Sequence, residues 1–217
     1  MGCFITFEGI EGCGKTTQIR MAGEFLEAKG IPVIVTEEPG GTALGAELRM
    51  LLLNRSDFEL CTESELFLFL SDRAQHVKEL IMPALSRNMW VLCDRFTDAT
   101  VTYQCFGRGL DRGVVRGMAG FAAGRLRPRL TFLFDLPVET GLARAMDRGS
   151  KTGYASEADR FESEKVEFHR RVREGYLTLA GEEPERFFVI DGRKDVPTVH
   201  REVSSRLTKL IDARNDG

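Results

Sequence analysis

The chain has 217 residues, of which 42% are hydrophobic and 29% charged, as in an ordinary soluble globular protein with a substantial core. Its net charge of −3 does not favour a nucleic-acid partner. The apolar N-terminal segment lacks the basic start of a signal peptide, and no run approaches the roughly 18 apolar residues of a membrane span, so neither secretion nor membrane insertion is expected. Five cysteines without a CxxC pair or a Cys/His cluster argue against a disulfide framework or a zinc site and favour a reducing cytoplasm.

Short apolar runs alternate with segments of helical spacing along the chain. The apolar runs predict strands at 3–8, 31–37, 89–94, 129–136 and 186–191. The other segments predict helices at about 15–30, 43–54, 62–87, 97–106, 111–124, 137–148, 160–181 and 197–213. Strands that alternate with helices form a parallel sheet covered on both faces, so the sequence predicts a single α/β domain over 1–217.

The longest predicted helix has a recognisable start. Thr62 and Glu65 match a T-x-x-E capping box, in which the two side chains satisfy backbone N–H groups of the first turn. Pro83 lies inside the helical pattern and is expected to bend the helix near its end, because proline removes a backbone hydrogen bond. The pattern therefore predicts one long helix with a fixed start and a bend.

The segment GIEGCGKT (9–16) matches the phosphate-binding pattern G-x-x-x-x-G-K-[ST], and it follows a predicted strand and opens a predicted helix, as this pattern requires. Glycines let backbone N–H groups turn toward a phosphate, and the helix N-terminus adds partial positive charge. Lys15 supplies a full charge for the β- and γ-phosphates, and the Thr16 hydroxyl is placed to ligate Mg²⁺. A chance glycine-rich turn is the alternative. The pattern alone does not separate GTPases, ATPases and small-molecule kinases.

Three further polar stretches are predicted beside this loop. EEPGGT (37–42) begins at the end of the second strand, and DRFTDATVTYQCFGRG (94–109) at the end of the third. DRGSKTGYASEADRFE (147–162) follows the helix after the fourth strand. Because α/β sheets bind ligands at the carboxyl ends of their strands, these stretches are expected to crowd around the phosphate loop.

With these motifs in this order, the chain resembles the thymidylate kinase family over nearly its whole length. The resemblance rests on FEGIEGCGKTT, EEPGGT, LFLFLSDRAQH, DRFTDATVTYQCFGRG, RPRLTFLFDLP and DRFE. It implies a P-loop NTPase fold, with strand order 2-3-1-4-5 and helices on both faces. It also implies phosphorylation of dTMP to dTDP with ATP and Mg²⁺, a step in dTTP synthesis for DNA replication, by a cytoplasmic homodimer.

Two other functions fit parts of the pattern. A P-loop kinase for another nucleotide or a deoxynucleoside acceptor would share the phosphate loop. A GTPase-like switch would share it too, but it needs a guanine-reading N-K-x-D after a strand, and the sequence contains none. The third strand also ends in D-R-F instead of the D-x-x-G of such switches. The pattern therefore favours a kinase.

On the donor side, the resemblance assigns ATP to the phosphate loop and to Arg144. The loop residues so assigned are Gly9, Ile10, Glu11, Gly12, Cys13, Gly14, Lys15, Thr16 and Thr17. Mg²⁺ is expected on Thr16 and Asp94, because a carboxylate at the end of the third strand can hold the ion directly or through water. An acid at position 11 matches the bacterial type of the family. There the carboxylate lies toward the acceptor and could accept a hydrogen bond from the 3′-hydroxyl, whereas a solvated loop carboxylate is the alternative.

A loop with an acid in place of an arginine needs positive charge from elsewhere for phosphoryl transfer. A lid at about 147–160 supplies the candidates Arg144, Arg148, Lys151 and Arg160. Arg148 and Arg160 are favoured to close over ATP, and for each a solvated surface charge is the alternative. The predicted catalytic set is Lys15, Arg95, Glu11, Arg148 and Arg160.

On the acceptor side, helix geometry groups the residues that the resemblance assigns to dTMP. Phe69 and Arg73 are four residues apart and share a helix face. The resemblance implies that the ring stacks on thymine and the guanidinium bonds a base oxygen, with core packing as the alternative for Phe69. It also implies that Thr100 and Gln104 contact the base, while Tyr103 crowds the 2′ position and favours deoxyribose. Glu11, Pro39, Arg49 and Arg95 complete the predicted dTMP site, with Arg49 and Arg95 on the phosphate.

Some positions depart from the family pattern. Glu37 replaces an arginine in the loop after the second strand, and Phe96 replaces a tyrosine after Asp94-Arg95. Arg129 stands where an acid is common, and the lid insert SKTGYASEA is longer than the common bacterial form. These departures are interpreted as variation within the family.

The three histidines of the chain, His76, His169 and His200, are expected on solvated helix faces among charged neighbours.

Overall fold

The computed structural model describes residues 2–53, 59–152, 160–161 and 164–215, and for 148–152 and 214–215 it describes the backbone alone. Within these residues the strands form one parallel sheet in the order β2-β3-β1-β4-β5, which confirms the predicted topology. The strands are β1 (Cys3–Glu8), β2 (Val33–Glu37), β3 (Trp90–Asp94), β4 (Leu130–Asp135) and β5 (Phe187–Asp191). Each lies within two residues of its predicted bounds.

The helices cover the sheet and carry the residues at its carboxyl edge. They are α1 (Lys15–Ala28), α2 (Ala43–Leu53), α3 (Thr62–His76), α4 (Met82–Ser86), α5 (Thr97–Thr100), α6 (Arg112–Ala122), α7 (Val138–Thr152), α8 (Val166–Glu182) and α9 (Val196–Asn215). Two π-helical turns continue helices without a break, at Val77–Ile81 between α3 and α4 and at Val101–Gly107 after α5. In the described part of the chain, no helix has the length and apolar character needed to cross a bilayer.

The sheet is buried on both faces, as continuous apolar strands require. Ile5 and Phe7 of β1 belong to a core cluster that also includes residues of α1, α8 and α9. Phe4, the residue before Ile5, belongs to a second cluster with Val91 and residues of the long helix. Successive side chains of a strand point to opposite faces, so both faces of β1 are covered by helices.

The long helix differs in detail from its prediction. Cys61 is the residue at its N-cap and Thr62 is already helical, so the predicted capping box at Thr62 and Glu65 is wrong. The Glu65 side chain is buried and forms ion pairs with Arg108 and Arg160 instead of capping the helix. Near the other end, the helix passes through the π-helical turn Val77–Ile81 just before Pro83, and this wider turn directly precedes the residue that cannot donate a hydrogen bond.

The predicted start of the helix at 160 is also wrong, since α8 begins at Val166. Arg160 lies in a turn, where its backbone N–H donates to Leu53 O at 2.9 Å and its Nε donates to Leu52 O at 3.0 Å. These bonds to the last carbonyls of α2 hold the backbone away from the path that a helix would need. Sequence periodicity does not report such a long-range contact.

Candidate active site

A cavity lies at the carboxyl ends of β1, β2 and β3, between the phosphate loop, α3 and the helix that follows β3. Most of the residues predicted for ATP and dTMP line this cavity. They are Glu11, Gly12, Cys13, Gly14, Lys15, Thr16, Thr17, Pro39, Arg49, Phe69, Arg73, Asp94, Arg95, Thr100, Tyr103 and Gln104. The sheet topology thus brings four distant segments to one place, as ligand binding at strand ends leads one to expect.

The phosphate loop needs glycine at Gly12 and Gly14 for two different reasons, close packing at the first and backbone conformation at the second. Gly12 has φ +70°, and a Cβ there would lie 2.0 Å from the carbonyl oxygen of Gly141 on α7. Gly14 has φ +94°, and no described atom lies within 4 Å of the point where its Cβ would be. Gly12 therefore allows close packing on α7, while Gly14 is required by backbone conformation alone.

Lys15 begins α1 with its side chain folded back over the loop. It is buried, and its Nζ donates to Ile10 O at 3.4 Å. This long bond leaves the ammonium group beside the loop and at the cavity wall. Gly9 and Ile10 do not line the cavity; Ile10 is buried beneath the loop and Gly9 leads into it from β1.

Thr16 and Asp94 meet across the cavity floor, as predicted for a metal site. The Thr16 hydroxyl donates to Asp94 Oδ2 at 3.2 Å. The other carboxylate oxygen, Oδ1, is buried and has no hydrogen-bond partner among the described residues. A hydroxyl and an unsatisfied carboxylate oxygen suit Mg²⁺, which takes few protein oxygens and completes its shell with water and phosphate. The described residues contain no cluster of three or more His, Cys, Asp or Glu ligands.

Glu11 is held by a dense set of polar neighbours. Its Oε1 accepts from Tyr103 Oη at 2.5 Å and from Arg95 Nη2 at 2.9 Å. His169 Nδ1 lies 3.3 Å from Oε2, within ion-pair distance but outside hydrogen-bond geometry. Burial pushes the pKa of the Glu11 carboxyl up, but His169, Arg95, Lys15 and Tyr103 outweigh it and hold the pKa below its ordinary value. The alternative of a solvated loop carboxylate is therefore wrong.

Arg95 lies beside Glu11 in an uncommon backbone conformation. Its φ is +70°, a region that non-glycine residues rarely adopt. The guanidinium carbon lies 5.0 Å from the centre of the Tyr103 ring, and Nη1 donates to Tyr176 Oη at 3.3 Å. The conformation turns this arginine from the end of β3 toward the phosphate loop, where its bond to Glu11 holds it.

Glu8, the last residue of β1, is a buried acid that sequence patterns did not single out. Its Oε1 accepts from the backbone N–H of Phe96 at 2.8 Å, and its Oε2 accepts from Tyr176 Oη at 2.8 Å. Burial, reinforced by the nearby Asp98, raises the pKa of Glu8 to about 8. Glu8 thus anchors the start of the helix that carries the predicted acceptor contacts.

Arg73 is fully buried and bonded to side chains of two other segments. Its Nε and Nη2 reach Glu38 Oε2 at 2.8 and 2.7 Å, and its Nη1 donates to Thr100 Oγ1 at 2.8 Å. Glu38 Oε1 is also 2.9 Å from Nδ1 of His76. The guanidinium carbon lies 5.1 Å from the ring centre of Phe96, which replaces the usual tyrosine. The arginine is thereby oriented by the loop after β2 and by the segment from Phe96 to Thr100.

Two histidine expectations are wrong. The side chains of His76 and His169 are fully buried, whereas His200 is partly exposed. His76 follows Arg73 by three residues and so shares its inward helix face, and its Nε2 lies 2.8 Å from Thr36 Oγ1. The three-residue spacing from Arg73 could therefore have predicted that His76 is buried. Nothing in the local sequence signals that His169 would lie against Glu11.

Phe69 and a residue missed by sequence reasoning form the apolar wall of the cavity. Phe69 is half-buried and packs against the main core cluster, yet it also lines the cavity. The missed residue is Phe161, whose ring centre lies 6.0 Å from that of Phe69 and 5.5 Å from that of Tyr103. Phe161 belongs to the quoted DRFE motif, so its place in the motif was the available signal. Core packing and cavity lining are thus compatible for Phe69.

Arg49 lies at the cavity edge, paired with the residue that departs from the family pattern. Its Nη1 donates to Glu37 Oε2 at 3.0 Å and to Pro39 O at 2.6 Å. Both charged side chains are substantially exposed. Glu37 therefore does more than remove a positive charge, because it also engages the neighbouring arginine that was predicted to contact the acceptor phosphate.

The predicted lid arginines lie in different surroundings. Arg144 of α7 donates to Gly192 O at 3.0 Å, beyond β5, and does not line the cavity. Arg160 donates from Nη2 to Glu65 on α3 at 2.5 Å, on the acceptor side of the cavity. A contact of Arg160 with ATP requires the side chain to leave Glu65. The side chains of Arg148 and Lys151, and all of residues 153–159, lie outside the described residues.

Known proteins resemble this chain over nearly its whole length. A family model described as thymidylate kinase matches residues 7–203. The chain is 54% identical over 210 residues to a thymidylate kinase of Syntrophus aciditrophicus, covering 97% of this chain and 96% of that protein. It is 50% identical over 214 residues to a thymidylate kinase of Geotalea uraniireducens, covering 99% and 98%.

A solved structure agrees as well. The crystal structure of thymidylate kinase from Ehrlichia chaffeensis superposes with a TM-score of 0.74 at 33% sequence identity, and the match covers 95% of this chain and 98% of that one. Fold similarity and sequence similarity therefore both extend over nearly the whole chain. The chain belongs to the thymidylate kinase family.

Proposed function

We propose that the chain phosphorylates dTMP to dTDP with ATP and Mg²⁺, a step in dTTP synthesis. The observation that carries the proposal is one cavity with two chemically different ends. The phosphate loop and Lys15 form one end, and the buried Arg73 with the ring of Phe69 forms the other. Glu11, Arg95 and Tyr103 lie between them, where the acceptor sugar and phosphate would sit.

The proposed transfer uses charge and position instead of a strong base. An acceptor phosphate oxygen is already anionic at neutral pH, so it can attack the γ-phosphorus in line without losing a proton. Lys15 neutralises the transferring group and Arg95 holds the acceptor phosphate. Thr16 and Asp94 would hold Mg²⁺, and the bound ion would supply further neutralisation of the triphosphate. Arg148 and Arg160 are proposed to close over ATP and exclude water.

Glu11 is proposed to orient the acceptor sugar. Its Oε1 is occupied by Tyr103 and Arg95, whereas its Oε2 has no hydrogen-bond partner among the described residues. That second oxygen is free to accept from the acceptor 3′-hydroxyl. The phosphate-loop residues and Arg144 are proposed to bind ATP, the phosphoryl donor, as the family resemblance implies.

The larger-scale proposals are one domain over 1–217 with a lid at about 147–160, and a homodimer in the cytoplasm. Support for a dimer comes from α2 and α3, where Leu51 and Phe67 are 44% and 52% exposed beside each other along a shallow apolar depression. Exposed large apolar side chains in one patch mark an association surface. The cysteines of the described residues form no disulfide and three of them are buried, which suits a reducing compartment. No nucleic-acid or membrane partner is proposed, in keeping with the net charge of −3.

A coupled ADP-release assay with ATP·Mg²⁺ tests the activity, with dTMP, dUMP, dCMP, AMP, GMP, UMP and thymidine as acceptors. Strong turnover with dTMP, well above the other acceptors, is expected. Preferred turnover with another nucleotide or with thymidine would keep the phosphate-loop kinase and discard the thymine pocket. Sedimentation velocity tests the dimer, and a monomer at micromolar concentration would contradict it.

A further inference from the structure

Glu65 is a buried acid at the start of α3 that binds two arginines and one amide. Its side chain is 1% exposed. Oε1 accepts from Gln104 Nε2 at 2.8 Å and from Arg108 Nε at 3.1 Å. Oε2 accepts from Arg108 Nη2 at 3.1 Å and from Arg160 Nη2 at 2.5 Å. A carboxylate paired with two guanidinium groups offers only acceptor atoms to its neighbours.

This arrangement decides which way the Gln104 amide points. If the amide oxygen faced Glu65, two acceptors would meet without a hydrogen between them, so the amide nitrogen must face the carboxylate. The oxygen then lies at the other end. Gln104 Oε1 is buried without a hydrogen-bond partner among the described residues, and Gln104 lines the cavity. A buried acceptor at the cavity wall needs a donor, and a bound ligand can supply it.

The polar wall of the cavity then has a defined order of donor and acceptor. Arg73 lines the same cavity and can only donate, while the oxygen of Gln104 can only accept. Thymine and uracil present the complementary pair, an acceptor O4 beside the N3–H donor. Cytosine presents the reverse pair, a donor amino group beside an acceptor N3. The wall therefore matches the first two bases and mismatches cytosine at both atoms.

We propose that Glu65 is a positioning residue for acceptor selection: it holds the Gln104 amide with its oxygen toward the cavity, so that the site takes pyrimidines bearing N3–H and rejects cytosine. The inference rests on the proposed function. Glu65 itself does not line the cavity and acts only through Gln104. Arg108 bonds both oxygens of the carboxylate and keeps it in place when Arg160 moves to ATP, and Arg108 is itself held by Glu164.

The test compares kcat/KM for dTMP, dUMP and dCMP at saturating ATP in the wild type and in Glu65→Gln. A glutamine at 65 can donate as well as accept, so the Gln104 amide can turn over. The ratio of dTMP to dCMP is expected to fall about tenfold or more. The ratio of dTMP to dUMP should stay constant, because these bases share the same O4 and N3–H edge. The conservative variant Glu65→Asp keeps an acceptor-only group and should retain most of the discrimination.

Other results separate the possibilities. A purely structural role for Glu65 would lower kcat/KM for all three acceptors by one factor and leave the dTMP/dCMP ratio unchanged, which overturns the inference. If Glu65→Gln does not fold, Gln104→Met removes the amide and leaves Glu65 with its arginines. A fall in the same ratio then supports the inference, and an unchanged ratio overturns it. A wild type without dTMP turnover would instead overturn the proposed function.

Discussion

Lys15 provides the full positive charge at the phosphate end of the cavity, close to the carbonyl of Ile10. Lys15→Ala is expected to lower kcat by about 10²-fold or more, the usual effect of removing one preorganised donor from a transition state. The coupled ADP-release assay measures this loss, and circular dichroism checks the fold. Near-normal turnover in a folded Lys15→Ala protein would contradict the proposed phosphate cradle.

Glu37 is the departure from the family pattern with the clearest expected consequence. It engages Arg49 at an exposed edge of the cavity, where a dianionic acceptor phosphate would arrive. Glu37→Gln should lower KM for dTMP by about two- to fivefold, because an exposed charge interaction contributes up to about 1 kcal/mol. KM for ATP should not change.

The control for this prediction is Glu47→Gln, which removes the same charge from an exposed position on α2 outside the cavity lining. The effect of Glu37→Gln should shrink as ionic strength rises, since exposed charges are screened by salt. An equal change in KM in both variants would show that overall charge, and not the Arg49 contact, is responsible.

At the scale of elements, Glu38 joins the loop after β2 to α3 and, through Arg73, to α5. Arg73 and His76 both bond its buried carboxylate. Glu38→Gln should destabilise the protein by about 3 kcal/mol or more, because it leaves a buried guanidinium without its charged partner. It should also raise KM for dTMP more than KM for ATP, since Arg73 loses its orientation.

Chemical denaturation and steady-state kinetics measure these two effects. Arg73→Ala serves as the matched variant, because it removes the same ion pair from the other side. It should also affect acceptor use more than ATP binding. If either variant changed only the ATP dependence, the assignment of Arg73 to the acceptor end of the cavity would be wrong.

At the scale of the whole molecule, Glu8 makes stability depend on pH. Burial raises its pKa in the folded protein to about 8, well above the ordinary value of 4.5. Between these values the folded state holds a proton that the unfolded state has lost. The stability that Glu8 contributes is therefore complete below about pH 4.5 and is lost as pH rises toward 8.

Glu8→Gln removes this titration while keeping the size of the side chain. The difference in unfolding free energy between wild type and Glu8→Gln should move against the wild type as pH rises, by at most about 1.4 kcal/mol per pH unit. Urea denaturation at pH 5, 6, 7 and 8 measures the difference. A difference that is independent of pH across this range would show that Glu8 has no raised pKa in the folded protein.

Much of the fold could be predicted from the sequence, because its signals are local. Continuous apolar runs such as CFITFE identify strands buried on both faces, and GIEGCGKT requires a strand before it and a helix after it. The strand order came from the family resemblance, and the topology confirms it. Many of the cavity-lining residues likewise lie in motifs at strand ends, where the chain must turn into the site, whereas Phe69 and Arg73 lie on α3.

The tertiary structure alone decided which polar side chains are buried and with which partners. Glu65, His76 and His169 were expected to cap a helix or face water, yet each is buried beside a group from a distant segment. Burial of a charged or polar group is favourable only when a partner meets it, and that partner is set by folding, not by neighbouring residues. The sequence by itself therefore determined the strands, the phosphate loop and the family, whereas the long-range polar contacts that orient Glu11, Arg73 and Gln104 could be decided only in three dimensions.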